Sequence, residues 1–133
     1  METIFKTTTK GMVVKDGQIF MVKDQRGNWE FPGGRIDDGE LPEDTLYREF
    51  AEEIGVTDLT VGKLIYEFEF ESERDGQNFH FKVLCYECEA DLENIKISDE
   101  HQEFRWIALQ DVDNTQMRNG YREAIAKLRD IQK

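Results

Sequence analysis

The alternation of apolar and polar residues predicts that much of this chain forms β-strands. Strand-like segments occur at residues 7–14, 19–23, 59–71, 78–89 and Glu103–Ala108. A shorter extended piece at residues 29–35 is broken by Pro32, Gly33 and Gly34. Between the first two segments, Lys15-Asp16-Gly17 predicts a tight hairpin turn, because glycine accepts a positive φ without steric cost.

Two other segments show the spacing of amphipathic helices. The first covers residues 41–54, with Pro42 in its first turn and Gly55 just after its end, where a left-handed residue is common. A second helix is predicted from about residue 115 to about residue 130. Its apolar stripe is formed by Met117, Tyr121, Ala124, Ile125, Leu128 and Ile131. Gly120 weakens the start of this segment, so a later start is the alternative.

These elements predict an α+β or α/β fold in which helices are layered on a sheet. With 133 residues and no repeats or linkers, residues 1–133 are expected to form a single domain. The chain has no run of about 18 apolar residues that would predict a membrane span. Residues 1–6 lack the apolar core of a secretory signal. We therefore expect a cytoplasmic protein that does not bind membranes.

The acidic composition narrows the choice of partners. The chain has 17 basic and 29 acidic residues, which gives a net charge of −12. This charge repels phosphate backbones, so a nucleic acid polymer is not expected as a partner. It would also repel a free nucleotide, unless metal cations neutralise the binding site locally.

The two cysteines form a Cys-x-x-Cys pair within a predicted strand. Because side chains alternate along a strand, Cys85 and Cys88 are expected to point to opposite faces of the sheet. A shared zinc ion or a disulfide between them is therefore not expected.

Three glutamates lie close together on one side of the first predicted helix. At about 100° per residue, Glu49, Glu52 and Glu53 fall within an arc of about 100°. The neighbouring apolar arc comprises Leu46, Tyr47, Phe50, Ala51 and Ile54. Such like charges repel one another, and a hard divalent cation such as Mg²⁺ would relieve the repulsion through oxygen ligands. Taken alone, three glutamates at this spacing are more often a solvated acidic face.

The surrounding residues turn this acidic cluster into a longer pattern. It comprises Gly34, Glu40, Arg48, Glu49, Phe50, Glu52, Glu53, Gly55 and Val56. The pattern resembles the Nudix box, which would cover residues 34–56. The resemblance implies an α/β/α sandwich, in which a mixed β-sheet lies between helices and the box forms a loop–helix–loop.

The same resemblance assigns roles to individual residues. It implies that Glu49, Glu52 and Glu53 are metal ligands and that the Gly33 carbonyl is a further candidate ligand. The implied cofactor is Mg²⁺, for which Mn²⁺ could substitute. Arg48 would orient Glu49, and from its position it can pair with either Glu49 or Glu52. Glu40 would have a supporting role, and Gly34 would form the loop turn.

A later carboxylate is also expected from this resemblance. Glu100 is the first choice as a further ligand, because it lies six residues before Trp106, and Glu103 is the second. Either Glu49 or Glu100 would act as the general base.

The implied activity is that of a Nudix hydrolase, in which water attacks a phosphoanhydride bond. Residues 29–36 are similar to MutT-type enzymes, so the favoured substrate is a nucleoside triphosphate, cleaved to a nucleoside monophosphate and pyrophosphate. ADP-ribose or another nucleoside diphosphate derivative is the alternative, and a non-catalytic nucleotide-binding module is a third.

Several residues outside the helix are candidates for substrate binding. Arg35 would hold a phosphate or remain a surface residue. Asn119 would read a base edge or begin the second helix. The aromatic residues Phe79, Phe81 and Tyr121 would stack on a base or belong to the core. Either a monomer or a homodimer is compatible with the sequence.

Overall fold

A mixed β-sheet with two α-helices makes up the computed structural model, which describes residues 2–96 and 103–132. In chain order the elements are β1 (Thr3–Lys15), β2 (Gln18–Lys23), β3 (Trp29–Glu30), β4 (Gly33–Arg35), α1 (Pro42–Ile54), β5 (Thr60–Arg74), β6 (Gln77–Glu89), β7 (Glu103–Ala108), a 3₁₀ helix (Leu109–Asn114) and α2 (Asn119–Ile131). The five predicted strands and the first predicted helix are confirmed.

The sheet is mixed because β1 and β6 pair in parallel, whereas all the other strand pairs described in the sheet are antiparallel. The main strand order is β3-β2-β1-β6-β5, with β4 paired to β1 and β7 paired to β2. At the β1–β2 turn, Asp16 and Gly17 have φ angles of 52° and 75°, which confirms the predicted tight turn. The parallel contact places the chain's first strand at the centre of the sheet.

Each face of the sheet is covered by one helix. On one face α1 packs Leu46, Phe50 and Ile54 into a core that includes Val13. On the other face α2 contributes four buried residues, Tyr121, Ala124, Ile125 and Leu128, to a core that includes Met12. Because Met12 and Val13 are neighbours on β1, this strand is buried on both faces. The predicted α/β/α sandwich is confirmed.

The second helix begins later than about residue 115, as the alternative based on Gly120 allowed. It starts at Asn119, and the preceding residues Leu109–Asn114 form a 3₁₀ helix. Met117 is buried although it precedes α2, so its place in the apolar stripe reflects core packing and not helical structure. A Cβ at Gly120 would overlap the ring of Phe68 on β5, so the glycine allows α2 to approach the sheet closely.

The two cysteines are both buried and free, and they lie on opposite faces of the sheet, as predicted. Burial raises the pKa of each thiol to about 12, so neither is ionised near neutral pH. Within the described residues, no helix combines the length and the apolar character needed to cross a membrane.

The close approach at Gly120 yields a stability prediction. Gly120→Ala is expected to lower the free energy of unfolding by about 1–3 kcal/mol, because the added Cβ meets Phe68. Helix propensity alone predicts the opposite sign, a gain of about 1 kcal/mol. Urea unfolding followed by circular dichroism measures the difference.

The matched control is the same substitution in a Phe68→Leu background, where the smaller side chain leaves room for the methyl group. Gly120→Ala should cost less in that background. Equal losses in both backgrounds would contradict the packing explanation.

Candidate active site

The loop that precedes α1 is closed by hydrogen bonds to the carboxylate of Glu40. Its Oε1 accepts hydrogen bonds from the Thr45 hydroxyl at 2.7 Å, the Asp37 N–H at 3.0 Å and Arg48 Nη2 at 3.0 Å. Its Oε2 accepts one from Arg48 Nε at 2.7 Å. Arg48, followed by the Asp37 N–H and the Thr45 hydroxyl, lowers the pKa of Glu40 to about 2. Glu40 therefore stays ionised and fixes the Arg48 guanidinium.

Arg48 in turn connects the loop to the glutamates of α1. Its Nη1 donates to Glu49 Oε1 at 2.8 Å and to Glu52 Oε2 at 3.3 Å, and its Nη2 donates to the carbonyl of Arg35 at 3.1 Å. The sequence predicted a pair with Glu49 or Glu52, and both are present. It did not predict the two-point contact with Glu40, eight residues away, because helical periodicity does not extend into the loop.

The three glutamates of α1 differ in their exposure to water. Glu53 is only 4% exposed, whereas the side chain of Glu52 is 60% exposed and that of Glu49 is 14% exposed. A solvated acidic face, which the spacing of the three glutamates alone favours, is therefore wrong for Glu53. The expected apolar arc was also wrong in part, because Tyr47 and Ala51 are exposed. The periodicity of the helix alone could not indicate that β4 covers this side of α1.

Glu49 and Glu53 form a carboxyl pair with little access to water. Both side chains lie against the glycines of β4: Glu53 Oε2 accepts the Gly33 N–H at 3.4 Å, and the Glu49 carboxylate lies where a Cβ at Gly34 would be. Burial raises the pKa of Glu49, and the charge of Glu52 adds to this effect, while Arg48 opposes it. Adjacent oxygen ligands of this kind suit a hard divalent cation. In residues 2–96 and 103–132, however, no three carboxylate, imidazole or thiol groups already converge as a metal site.

Two glycines bring the backbone of β4 against these carboxylates. Gly33 has a φ of 147°, and a Cβ there would overlap the carbonyl of Thr9. A Cβ at Gly34 would overlap the carboxylate of Glu49. Side chains at either position would force β4 away from β1 or from α1.

The carboxyl pair opens into a cleft of about 670 Å³ on the face of the sheet that α2 covers. Lys10 lines the cleft and is 6% exposed, with its Nζ 3.6 Å from Glu30 Oε1. Burial alone would lower the pKa of Lys10, but Glu30, Glu53 and Glu49 together leave it raised. Lys10 and Glu30 were not predicted from the sequence as residues of the site. The signal that could have identified Lys10 is a charged residue at an inward-facing position of an otherwise apolar strand.

Four further expectations concern residues around this cleft. Arg35 lines it together with Glu49. Asn119 does not, and instead borders a second pocket of about 430 Å³. It is the first residue of α2, and its Oδ1 accepts a hydrogen bond from Arg122 Nη1 at 2.7 Å. Glu100 lies outside the described residues, and Glu103 pairs with Lys23 at 3.1 Å, away from the cleft lining.

The aromatic candidates belong mainly to the core. Phe81 and Tyr121 border the cleft but are 4% and 3% exposed. Phe79 is half-buried and stacks on Phe81 with ring centroids 5.6 Å apart. Phe81 and Tyr121 therefore form part of the cleft wall but expose little surface to solvent.

Most of this chain is similar in sequence to known proteins. The family described as "NUDIX domain" matches residues 7–128. RNA pyrophosphohydrolase of Helicobacter pylori is 31% identical over 107 residues, which cover 71% of this chain and 69% of that protein. Nucleoside triphosphatase NudI of Escherichia coli is 26% identical over 119 residues, which cover 80% of this chain and 84% of that protein.

The solved structures include a MutT protein of Methanosarcina mazei with the same fold. It superposes with a TM-score of 0.78 at 20% identity, over 100% of this chain and 99% of its own. At this identity the match shows the fold alone, and it agrees with the mixed sheet between two helices described above.

The Glu40 cluster predicts a change in acid sensitivity. The folded-state pKa of about 2 lies below the ordinary value of 4.5, so ionised Glu40 stabilises the fold fully above about pH 4.5. That contribution is lost as the pH falls from there towards 2. Glu40→Gln should therefore lose less stability than the wild type over this range, as measured by urea midpoints at successive pH values.

Glu43→Gln is the control, because Glu43 is an exposed carboxylate in the first turn of the same helix. This variant should keep the acid sensitivity of the wild type. The assignment fails if Glu40→Gln and the wild type lose stability in parallel below pH 4.5.

Proposed function

Because the chain belongs to the NUDIX domain family of hydrolases, we propose that it is a Mg²⁺-dependent pyrophosphohydrolase acting on nucleoside triphosphates. The products would be a nucleoside monophosphate and pyrophosphate. The observation that carries the proposal is the Glu49–Glu53 carboxyl pair at the edge of a cleft that also contains basic side chains. Acidic groups suit the metal, and basic groups suit the phosphates.

The residues assigned to Mg²⁺ are Glu49, Glu52 and Glu53, together with the carbonyl of Gly33. When bound, the cation supplies charge neutralisation and polarisation of the attacked phosphate. Glu53 is held by the Gly33 N–H, and Glu49 is held by Arg48. Glu52 is the outer member, because its side chain is mostly exposed.

The other steps fall to groups that bind phosphate and accept a proton. Arg35 lines the cleft next to the glycine pair and is assigned to phosphate binding. Arg48 acts as a positioning residue, because its guanidinium is already engaged by Glu40 and fixes the Glu49 carboxylate. The proton of the attacking water is assigned to Glu49 or to Glu100. Asn119 is assigned to the nucleoside end of the substrate, in the second pocket.

The choice of a triphosphate is supported by the Escherichia coli relative, which is named a nucleoside triphosphatase and is matched over 84% of its length. The net charge of −12 disfavours a long RNA chain as the substrate. We expect residues 1–133 to act as one cytoplasmic domain, as a monomer or a homodimer.

A panel of substrates tests this proposal directly. The protein is incubated with Mg²⁺ and each of the four nucleoside triphosphates, ADP-ribose, a dinucleoside polyphosphate or a short 5′-triphosphate RNA, and the products are separated by chromatography. Release of nucleoside monophosphate and pyrophosphate from a triphosphate is expected. Cleavage of ADP-ribose alone would overturn the triphosphate preference.

The carboxyl pair predicts a loss of turnover. Glu49→Gln should lower kcat by about 100-fold or more at saturating Mg²⁺, because it removes a metal ligand or a base while preserving the shape of the side chain. Glu43→Gln, on the exposed first turn of α1, should retain wild-type turnover. Near wild-type turnover of Glu49→Gln at saturating Mg²⁺ would refute the assignment.

A further inference from the structure

Three arginines converge at the cleft from separate parts of the chain. Arg26 comes from the loop before β3, Arg35 from the end of β4 and Arg74 from the end of β5. Glu30 lines the same cleft, and its negative charge acts on Arg74.

The proximity of these like charges is itself unfavourable. Burial lowers the pKa of Arg74, and the positive charges of Arg26, Arg35 and Arg118 lower it further, while Glu30 opposes this effect only in part. Repulsion of this kind is relieved when an anion binds among the guanidinium groups. The cluster therefore has the electrostatic character of an anion-binding site.

Phenylalanine rings hold two of the guanidinium groups in place. Phe70 lies opposite Phe81 in the β5–β6 register, and their ring centroids are 5.1 Å apart. Arg74 lies over Phe81 at 5.1 Å, and Arg35 lies over the same ring at 5.4 Å. Stacking on an aromatic face restrains a guanidinium group and still leaves its N–H edge able to bind oxygen.

Arg26 is positioned by its loop. The Asp24 carboxylate accepts hydrogen bonds from the backbone N–H groups of Arg26 at 2.8 Å and Asn28 at 2.9 Å. The Arg26 guanidinium then reaches Ser72 Oγ and the Glu73 carbonyl of β5, each at 3.5 Å. These contacts bring it to the same end of β5 as Arg74.

The arginines and the carboxyl pair line one continuous cleft. Arg35 directly follows Gly34, whose added Cβ would overlap the Glu49 carboxylate. Four basic and five acidic side chains line the cleft, compared with 17 basic and 29 acidic residues in the whole chain. Basic side chains therefore balance the acidic ones more nearly in the cleft than in the whole chain, and one bound molecule can contact both groups.

From this arrangement we infer that Arg26, Arg35 and Arg74, here called the arginine platform, form a second phosphate-binding subsite. This subsite receives the terminal phosphates of a triphosphate while the attacked phosphate lies at Glu49 and Glu53. The inference rests on the proposed function and deepens it. A diphosphate derivative would place only one phosphate against three arginines, so the platform favours substrates with three or more phosphates in a row.

Binding of inorganic tripolyphosphate tests the platform without catalysis. Isothermal titration in the presence of EDTA compares the wild type with Arg26→Ala and Arg74→Ala. Each variant should raise the dissociation constant by about 10-fold or more, because a charge-assisted contact with phosphate is lost. Pyrophosphate should bind the wild type less tightly than tripolyphosphate.

Arg105→Ala is the control, since Arg105 stacks on Trp29 at 4.9 Å and does not line the cleft. It should leave tripolyphosphate binding unchanged, and Arg74→Lys should retain part of it through its charge. Unchanged binding in both Arg26→Ala and Arg74→Ala would overturn the inference, and so would equal losses in Arg105→Ala.

Kinetics separate this inference from the proposed function. With a nucleoside triphosphate, Arg74→Ala should raise KM by about 10-fold and change kcat less, because the platform binds phosphates remote from the attacked one. Hydrolysis with unchanged KM in this variant would refute the platform and leave the proposed activity standing. Tripolyphosphate binding that depends on the platform, without hydrolysis of any triphosphate, would refute the activity alone.

Discussion

Two carboxyl groups, those of Glu49 and Glu53, lie next to each other where little water reaches them, and this constraint governs the organisation around α1. Holding like charges together costs free energy unless neighbouring groups offset the repulsion. Arg48, Lys10 and the Gly33 N–H provide that compensation, and Glu40 keeps Arg48 in position. The glycine pair is part of the same arrangement, because only backbone without side chains fits between the carboxylates and β1.

The elements with strong local signals could be predicted from the sequence. The Asp16-Gly17 turn, the helix ending before Gly55 and the opposite orientation of the two cysteines each depend on a few neighbouring residues. The sequence could not decide between an early and a late start of α2, because core packing of Met117 imitates a helical stripe. The burial of Glu53 depends on β4, which lies outside the helix.

The features that escaped prediction are those that depend on strands meeting over long sequence distances. Lys10 meets Glu30 and the carboxyl pair only because β1 lies at the centre of the sheet beside β4. Arg26 and Arg74 are 48 positions apart by their numbers, and the long β5–β6 hairpin brings them to one end of the cleft. No local pattern marks such residues, because their common property is a shared location in the folded chain.

The two halves of the cleft have separate supports. The carboxylates are attached to a helix packed on one face of the sheet, whereas Arg74 and its phenylalanine neighbours belong to a hairpin on the other side of the central strand. If the proposed assignments hold, substitutions in the hairpin would change which substrates bind without disturbing the carboxylates of α1. This separation would allow related chains to differ in substrate preference while retaining the same reaction chemistry.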